Sequence, residues 1–360
     1  MKPLDVALVG PGRMGRLYAR LLAESALTRL AAVCGCGEAS ARALAEQHGV
    51  PWYAGANVQT MLSDHPAIEA VIVATSEWAH VEPVLAALDA GKHVLAEKPL
   101  ALSPGEAATM VRRAQEAGVH FMVCHSLRFD PRFAALRQAV IEGAIGDVLH
   151  LYARRNPAQA AAQRVLGRFP LAYWLMPHDI DMMLWSTGSA VTKVMAYSRS
   201  GGRERNDFII AVLTFANGAI GVVESSWGTP EQGGRPLNEQ FTVRGTAGMA
   251  EVLGNDQGVA IYHAGAADYP DTGYAPVIHD QLDGIFRRLL VHFAGVVRNR
   301  WPPIITGEDG RAAVEVAAAI DRSLSEGREV NLPDGLHQQM ENSATQRTQS
   351  LHGEHRDSSA

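Results

Sequence analysis

Residues 4–24, LDVALVGPGRMGRLYARLLAE, decide the fold. The apolar run of residues 4–9 stops at Gly10, and the pattern changes period at once, with Met14, Leu17, Leu21 and Leu22 recurring at helical spacing. A strand, a glycine turn and a helix therefore follow one another directly. Gly10-Pro11-Gly12-Arg13-Met14-Gly15 fits G-x-G-x-x-G in the context that gives the pattern meaning, between a strand and the helix it feeds. The first glycine permits the turn, the second lets backbone approach a pyrophosphate, and the third lets helix and strand pack closely. Phosphates then lie at the positive end of the helix. The stretch predicts a dinucleotide site at Gly10, Gly12, Arg13, Met14 and Gly15.

The same alternation repeats downstream. LAAVC at 30–34 leads to a helix over 38–48, AVIVAT at 70–75 to one over 79–90, and HVLAEK at 93–98 to one over 104–117. Ser103, Pro104 and Glu106 make a capping box for the last helix, and Gly118 closes it. Strand alternating with helix predicts a parallel sheet covered on both faces, ending in the strand FMVCH from Phe121. The second strand should end in an acid if the ribose hydroxyls of NAD are to be held, but the chain reads Gly35-Cys36-Gly37 there. Glu38 reads as the opening of the next helix, with a ribose hydroxyl as its alternative partner, and Arg42 as solvent-facing, with a 2′-phosphate as its alternative. The cofactor is NAD or NADP, with a slight lean to NAD because the turn itself holds no basic residue. Open α/β sheets bind ligands beyond the carboxyl ends of their strands, where Thr75, Ser76 and Glu97-Lys98-Pro99 fall. A partly desolvated Lys98 beside a nicotinamide would donate a hydrogen bond to a substrate oxygen. By position alone, a solvated surface Lys is an equal alternative.

After residue 124 the pattern changes. One helix is expected over 131–142, and strands then follow without helices between them. DFIIAVLTF and AIGVVESSW are joined by Asn217-Gly218, a signal for an antiparallel hairpin. FTVRGTAGMAEV and GVAIYH read as further strands of that sheet, and a helix over 282–297 carries one apolar face expected to cover it. These elements define an α/β dinucleotide-binding domain over 1–123, an α+β domain over 124–337, and a polar segment, 338–360, expected to be disordered.

The 360 residues, 47% hydrophobic and 19% charged, suit two domains. A formal charge of -6 offers no basic field to nucleic acid. Cys34, Cys36 and Cys124 are too few for a disulfide framework, and Cys34-x-Cys36 lacks the second pair of a metal site. No apolar run is long enough to span a bilayer, and a strand beginning at Leu4 leaves no room for a leader. The expectation is a cytoplasmic protein without a membrane or nucleic-acid partner and without a metal.

Four stretches in order, GPGRMG, AGKHVLAEKPLALS, HDIDMMLW and ITGEDGRAAVEVAAAIDRSLSEGREVNLP, resemble the glucose-fructose oxidoreductase and inositol dehydrogenase family, Gfo/Idh/MocA. The resemblance spans residues 4 to 333. It implies an N-terminal Rossmann domain and a C-terminal domain built on a large, mainly antiparallel open sheet. It also implies a nicotinamide-dependent dehydrogenase acting on a secondary hydroxyl of a sugar, amino sugar or cyclitol, in either direction, and a dimer or tetramer. Carried over by motif, Lys98 is the signature lysine, Glu97 and Pro99 shape its turn against the nicotinamide, with Glu97 and Lys98 as cofactor residues, and His178 is the catalytic histidine. Asp181 and Asp179 are substrate ligands, His80 a cofactor or scaffold position, and Arg128 an arginine near the active site. In the implied reaction His178 takes the hydroxyl proton while Lys98 hydrogen-bonds the same oxygen.

The sequence departs from the family pattern at Trp174, where many members carry an Asp one turn before the histidine, so that His178 works without that partner or Asp179 or Asp181 takes its place. Trp174 is close enough in sequence to His178 to line a sugar. Glu77 and Trp78 depart as well, and Glu77, Asp179 and Asp181 would suit a substrate bearing ammonium groups. Two further functions fit the motifs, a nicotinamide-binding sensor without turnover and a glycosidase using bound NAD.

Overall fold

The computed structural model describes residues 2–333 apart from 56, 203–205, 228–236, 255–257, 260, 264–265 and, within 159–169, all but 163, 165 and 168. The segment 338–360, read as a tail, lies outside the described residues. The chain forms two compact units, Met1–Ser126 with Tyr274–Val314, and Leu127–Gly273 with Glu315–Ala360. The chain thus leaves the first unit three residues after the expected boundary, and 274–314 return to it.

The first unit is built from β1 (Leu4–Val9), α1 (Arg13–Glu24), β2 (Thr28–Gly35), α2 (Glu38–His48), β3 (Trp52–Ala54), α3 (Val58–Asp64), β4 (Ala70–Val73), α4 (Val81–Asp89), β5 (His93–Ala96), α5 (Pro104–Ala117) and β6 (Phe121–Val123). The strands pair in parallel in the order β3-β2-β1-β4-β5-β6. All six residues of β1 are buried, which is why it reads as a nearly continuous apolar run. The chain runs outward from β1 through β2 to β3, then returns to place β4 on β1's other side. That reversal opens a crevice at the carboxyl ends of β1 and β4. The Ser103 half of the capping box forms as read: its hydroxyl accepts the Glu106 N–H at 3.5 Å, and Gly118 ends α5 in the left-handed conformation.

The second unit opens with α6 (Pro131–Ile141), capped by Asp130, then β7 (Val148–Pro157), α7 (Leu171–Trp174) and α8 (Met176–Thr187). The strands β8 (Val191–Arg199), β9 (Phe208–Phe215), β10 (Ile220–Ser226), β11 (Leu237–Gly245) and β12 (Met249–Leu253) follow. With β17 (Val330–Asn331) they form a seven-stranded sheet, β12-β11-β7-β10-β9-β8-β17. Every pairing is antiparallel except β10 with β7. The Asn217-Gly218 hairpin joins β9 to β10 as expected. Leu151, Ala153, Val223, Ala211 and Leu213 on one face are buried, and their alternates Tyr152, Val222, Ile210 and Val212 on the open face are half-buried.

Two expectations are corrected. Ile261–His263 (β13) pairs with Ala266–Asp268 (β14) in a separate ribbon and does not extend the large sheet. The helix read over 282–297 forms as α9 (Ile285–Val297), after a small hairpin of β15 (Val277–Ile278) and β16 (Gln281–Leu282), but it belongs to the first unit. Phe286 meets Tyr18 of α1 edge-on at 6.2 Å, Glu24 accepts the Leu282 N–H at 2.7 Å, and Arg20 donates to the Asp280 carbonyl at 2.9 Å. An apolar helix face must be covered, but its period does not say by which core. The division between the units falls inside α10 (Gly307–Glu326). Among the described residues no helix is long and apolar enough to cross a membrane, and no group of three His, Cys, Asp or Glu side chains is placed to hold a metal.

Candidate active site

The turn after β1 tests whether a dinucleotide fits. Gly10 has φ +101°, and a Cβ there would lie 2.5 Å from the Ala74 carbonyl at the end of β4. A Cβ on Gly15 would lie 1.9 Å from the Gly10 carbonyl oxygen, so α1 is drawn directly onto the turn. Gly12 behaves oppositely: it is exposed, and a Cβ would meet nothing within 4 Å. The close approaches thus fold the turn back on itself while its middle stays open at the start of α1. That helix has neither a side-chain cap nor an acid in its first turn, so its leading N–H groups and positive dipole end suit a pyrophosphate. Arg13 is exposed beside them and Met14 is half-buried.

Two loops at the carboxyl ends of β4 and β5 are braced together. Thr75 and Ser76 are half-buried, and the Thr75 hydroxyl donates to the Ala79 carbonyl at 2.9 Å. His80, fully buried, sets Nδ1 2.8 Å from the Pro99 carbonyl and Nε2 3.3 Å from the Thr75 carbonyl. Burial lowers its pKa against the pull of the two carbonyls, Glu97 and Glu77. A neutral ring has one N–H, which belongs to the shorter contact. His80 thus lies between the Thr75 and Pro99 carbonyls of the two loops.

Glu97 is buried behind Lys98. The Tyr18 hydroxyl donates to its Oε1 at 2.9 Å, its Oε2 accepts the Lys98 N–H at 3.2 Å, and Cys124 Sγ lies 2.9 Å from the Tyr18 oxygen. Burial holds both the Tyr18 hydroxyl and the Cys124 thiol well above their ordinary pKa values. Glu97, read as a cofactor residue, turns its carboxylate inward to support the turn. The Lys98–Pro99 peptide is cis, and Lys98 itself is half-buried.

In the second unit, helix geometry breaks at Leu175 and resumes as α8, with Pro177 in the first turn, where a missing N–H costs nothing. His178 is half-buried, whereas Asp179 and Asp181 are inside. Arg155 of β7 grips both carboxylate oxygens of Asp179 at 3.0 Å and donates to Glu239 of β11 at 2.6 Å. Arg128 grips Asp181 at 3.0 and 2.5 Å, with its guanidinium 5.3 Å from the centre of the Trp185 ring. Burial raises the pKa of Asp179 and Glu239, and Arg155 offsets only part of that. Asp179 and Asp181, read as substrate ligands, and Arg128, read as lying near the active site, each hold a buried partner of opposite charge. Trp174 stacks on Trp227, centroids 4.7 Å apart, and the Trp227 indole N–H has no hydrogen-bond partner among the described residues.

Tyr18, Cys124, Arg155, Trp227 and Glu239 escape sequence reading. Arg155 did leave a signal, a charge in phase with Leu151 and Ala153 on the buried side of its strand, which demands a buried counter-charge.

A family model described as an oxidoreductase family with an NAD-binding Rossmann fold matches residues 4–125, and the C-terminal domain model of the same family matches residues 133–251. The chain belongs to the Gfo/Idh/MocA oxidoreductase family. The parallel six-stranded unit and the mostly antiparallel seven-stranded sheet are the two domains the resemblance implied. This Gfo/Idh/MocA oxidoreductase is similar to a myo-inositol 2-dehydrogenase of Thermotoga maritima, 27% identical over 350 residues, 92% of this chain and 99% of that one. It is similar also to a scyllo-inositol 2-dehydrogenase (NAD(+)) of Bacillus subtilis, 27% identical over 335 residues, 91% and 95% of the two chains. Among solved structures, a probable dehydrogenase from Thermotoga maritima superposes with a TM-score of 0.76 at 26% identity, covering 91% of this chain and 98% of that one.

Proposed function

We propose that this oxidoreductase oxidises a secondary hydroxyl of a cyclitol or neutral sugar, or reduces the corresponding ketone, with His178 as general base and Lys98 as the donor that steadies the substrate oxygen. The observation that carries it is α8: His178 is left half-buried at the start of a helix whose two adjacent carboxylates are locked inside by arginines. Bound along the Gly10–Gly15 turn, the nicotinamide dinucleotide supplies the hydride acceptor. The open backbone at Gly12 and the first N–H groups of α1 hold its pyrophosphate. His80 and Glu97 keep the β4 and β5 loops in shape, and the Lys98 ammonium donates to the oxygen on which negative charge develops. His178 accepts the hydroxyl proton. Trp174, backed by Trp227, offers a flat apolar wall to the C–H face of a ring. Arg128 and Arg155 are positioning residues.

A neutral polyol is favoured over an amino sugar because Asp179 and Asp181 are already neutralised. The inositol dehydrogenases named above act on that class by name. We place the enzyme in the cytoplasm, where its three free cysteines stay reduced. It forms a homo-oligomer through the open sheet face, where Tyr152, Val222, Val212 and Met195 line up across four neighbouring strands.

The test is nicotinamide absorbance with inositols, neutral sugars and amino sugars in the presence of NAD or NADP. Turnover on inositols or neutral sugars is expected, and His178→Ala and Lys98→Ala should each lower it by about 10²–10⁴-fold. No reduction with any polyol, or near-normal turnover in either variant, rejects the assignment.

A further inference from the structure

The glycine turn meets a pyrophosphate that NAD and NADP share, so discrimination falls to whatever meets the 2′ position of the adenosine ribose, where β2 ends and α2 begins. An acid there would accept from the ribose hydroxyls and repel a 2′-phosphate. Gly35, the last residue of β2, has no room for one, since a Cβ would lie 2.3 Å from Pro11 Cδ. Cys36 is exposed and carries no carboxylate, and Gly37 is the N-cap of α2.

What stands in the acid's place is a charge pair. Glu38, in the first turn of α2, accepts from Arg42 one turn later at 2.6 Å, and the Arg42 guanidinium lies 4.7 Å from the centre of the Trp52 ring on β3. The two partners are 58% and 50% exposed. An exposed i,i+4 pair is weak, so a phosphate dianion displaces Glu38 at little cost. The ring face meanwhile attracts the guanidinium, and a guanidinium fork matches phosphate oxygens two at a time. With no phosphate present, Arg42 stays on Glu38, whose second oxygen remains to accept from ribose hydroxyls.

We propose that Glu38, Arg42 and Trp52 form a two-way cofactor selector, Arg42 taking the 2′-phosphate of NADP and Glu38 the ribose hydroxyls of NAD, so that the enzyme accepts both. The selector rests on the nicotinamide-dependent reading above. It is tested by calorimetric titration of the purified protein with NADH and NADPH in the absence of substrate. The wild-type dissociation constants are expected to agree within about tenfold. Arg42→Ala should weaken NADPH by about tenfold or more, the worth of a charged hydrogen bond, while moving NADH by less than about twofold. Arg42→Lys should keep part of the NADPH affinity. Cys36→Asp, which restores the acid, should weaken NADPH by about tenfold or more and leave NADH bound. Equal NADPH affinity in Arg42→Ala and wild type overturns the selector, as does a wild-type preference for NADH beyond about tenfold. If neither cofactor binds the wild type, the nicotinamide reading fails with it. If both bind and neither variant changes their ratio, the selector alone fails.

Discussion

The candidate site residues of the two units are held by different materials. In the first unit the cofactor turn consists of backbone: Gly10 and Gly15 bring main chain against main chain, and Gly12 leaves the approach clear. In the second unit the His178 helix is held by charge, with Arg155 shared between Asp179 and Glu239 and Arg128 on Asp181, all nearly fully buried. A backbone site is local, assembled by six consecutive residues, and it tolerates whatever leaves its close approaches intact. A site held by buried ion pairs is assembled from distant strands and fails abruptly, because removing one partner leaves the other charged and desolvated.

The sharpest way to break this contrast is Arg155→Ala, which strands Asp179 and leaves Glu239 with Arg132 alone, 3.7 Å away. It should cost about 3–5 kcal/mol of stability, read from urea unfolding, and restoring Asp179→Asn and Glu239→Gln in the same chain should recover much of that. A loss below about 1 kcal/mol would mean that the network does not hold α8. Next in size is a pair of glycine variants. Gly15→Ala must push α1 off the turn and should cost about 1–3 kcal/mol. Gly12→Ala should leave stability within about 0.5 kcal/mol yet weaken NADH binding by about tenfold, because its methyl enters the space left for the pyrophosphate. Equal stability losses would erase the distinction between a packed and an open glycine.

The smallest effect is set by pH and has opposite signs in the two units. Burial lowers the pKa of His80, His93 and His292 in the first unit, His292 to about 4. Their contribution is present above the unfolded value of 6.5 and is lost as pH falls through the folded one. Asp179 and Glu239 in the second unit are raised, so their contribution is full below the unfolded values and lost as pH rises through the folded ones. Acidification from 6.5 toward 4 should therefore strip hydrogen-exchange protection from the first unit before the second, and His292→Gln should flatten that dependence. Earlier loss in the second unit would reverse the assignment.

Several elements were legible because their signals are short-range. The glycine turn, the Ser103–Glu106 cap and the Asn217-Gly218 hairpin each lie within a few residues, and each forms where it was read. What was misread depends on partners far along the chain. Strand β7, at the centre of the large sheet, passed unnoticed because its last residues, ARRNP, are polar, and only Asp179 of α8 and Glu239 of β11 make a buried Arg155 tolerable. α9 showed its apolar face plainly, yet Tyr18 and Glu24, more than 250 residues earlier, claim the segment for the first unit.

The same division runs through the candidate site. Sequence alone determined the parallel sheet, the glycine turn and the placement of Lys98 beyond β5, because each follows from local period, turn chemistry or motif. Tertiary structure alone decided that Asp179 and Asp181 face inward, that Glu97 answers to Tyr18, and that Arg42 lies over Trp52. A side chain's charge is written in the chain, but what neutralises it depends on which distant residue the fold brings within about 3 Å.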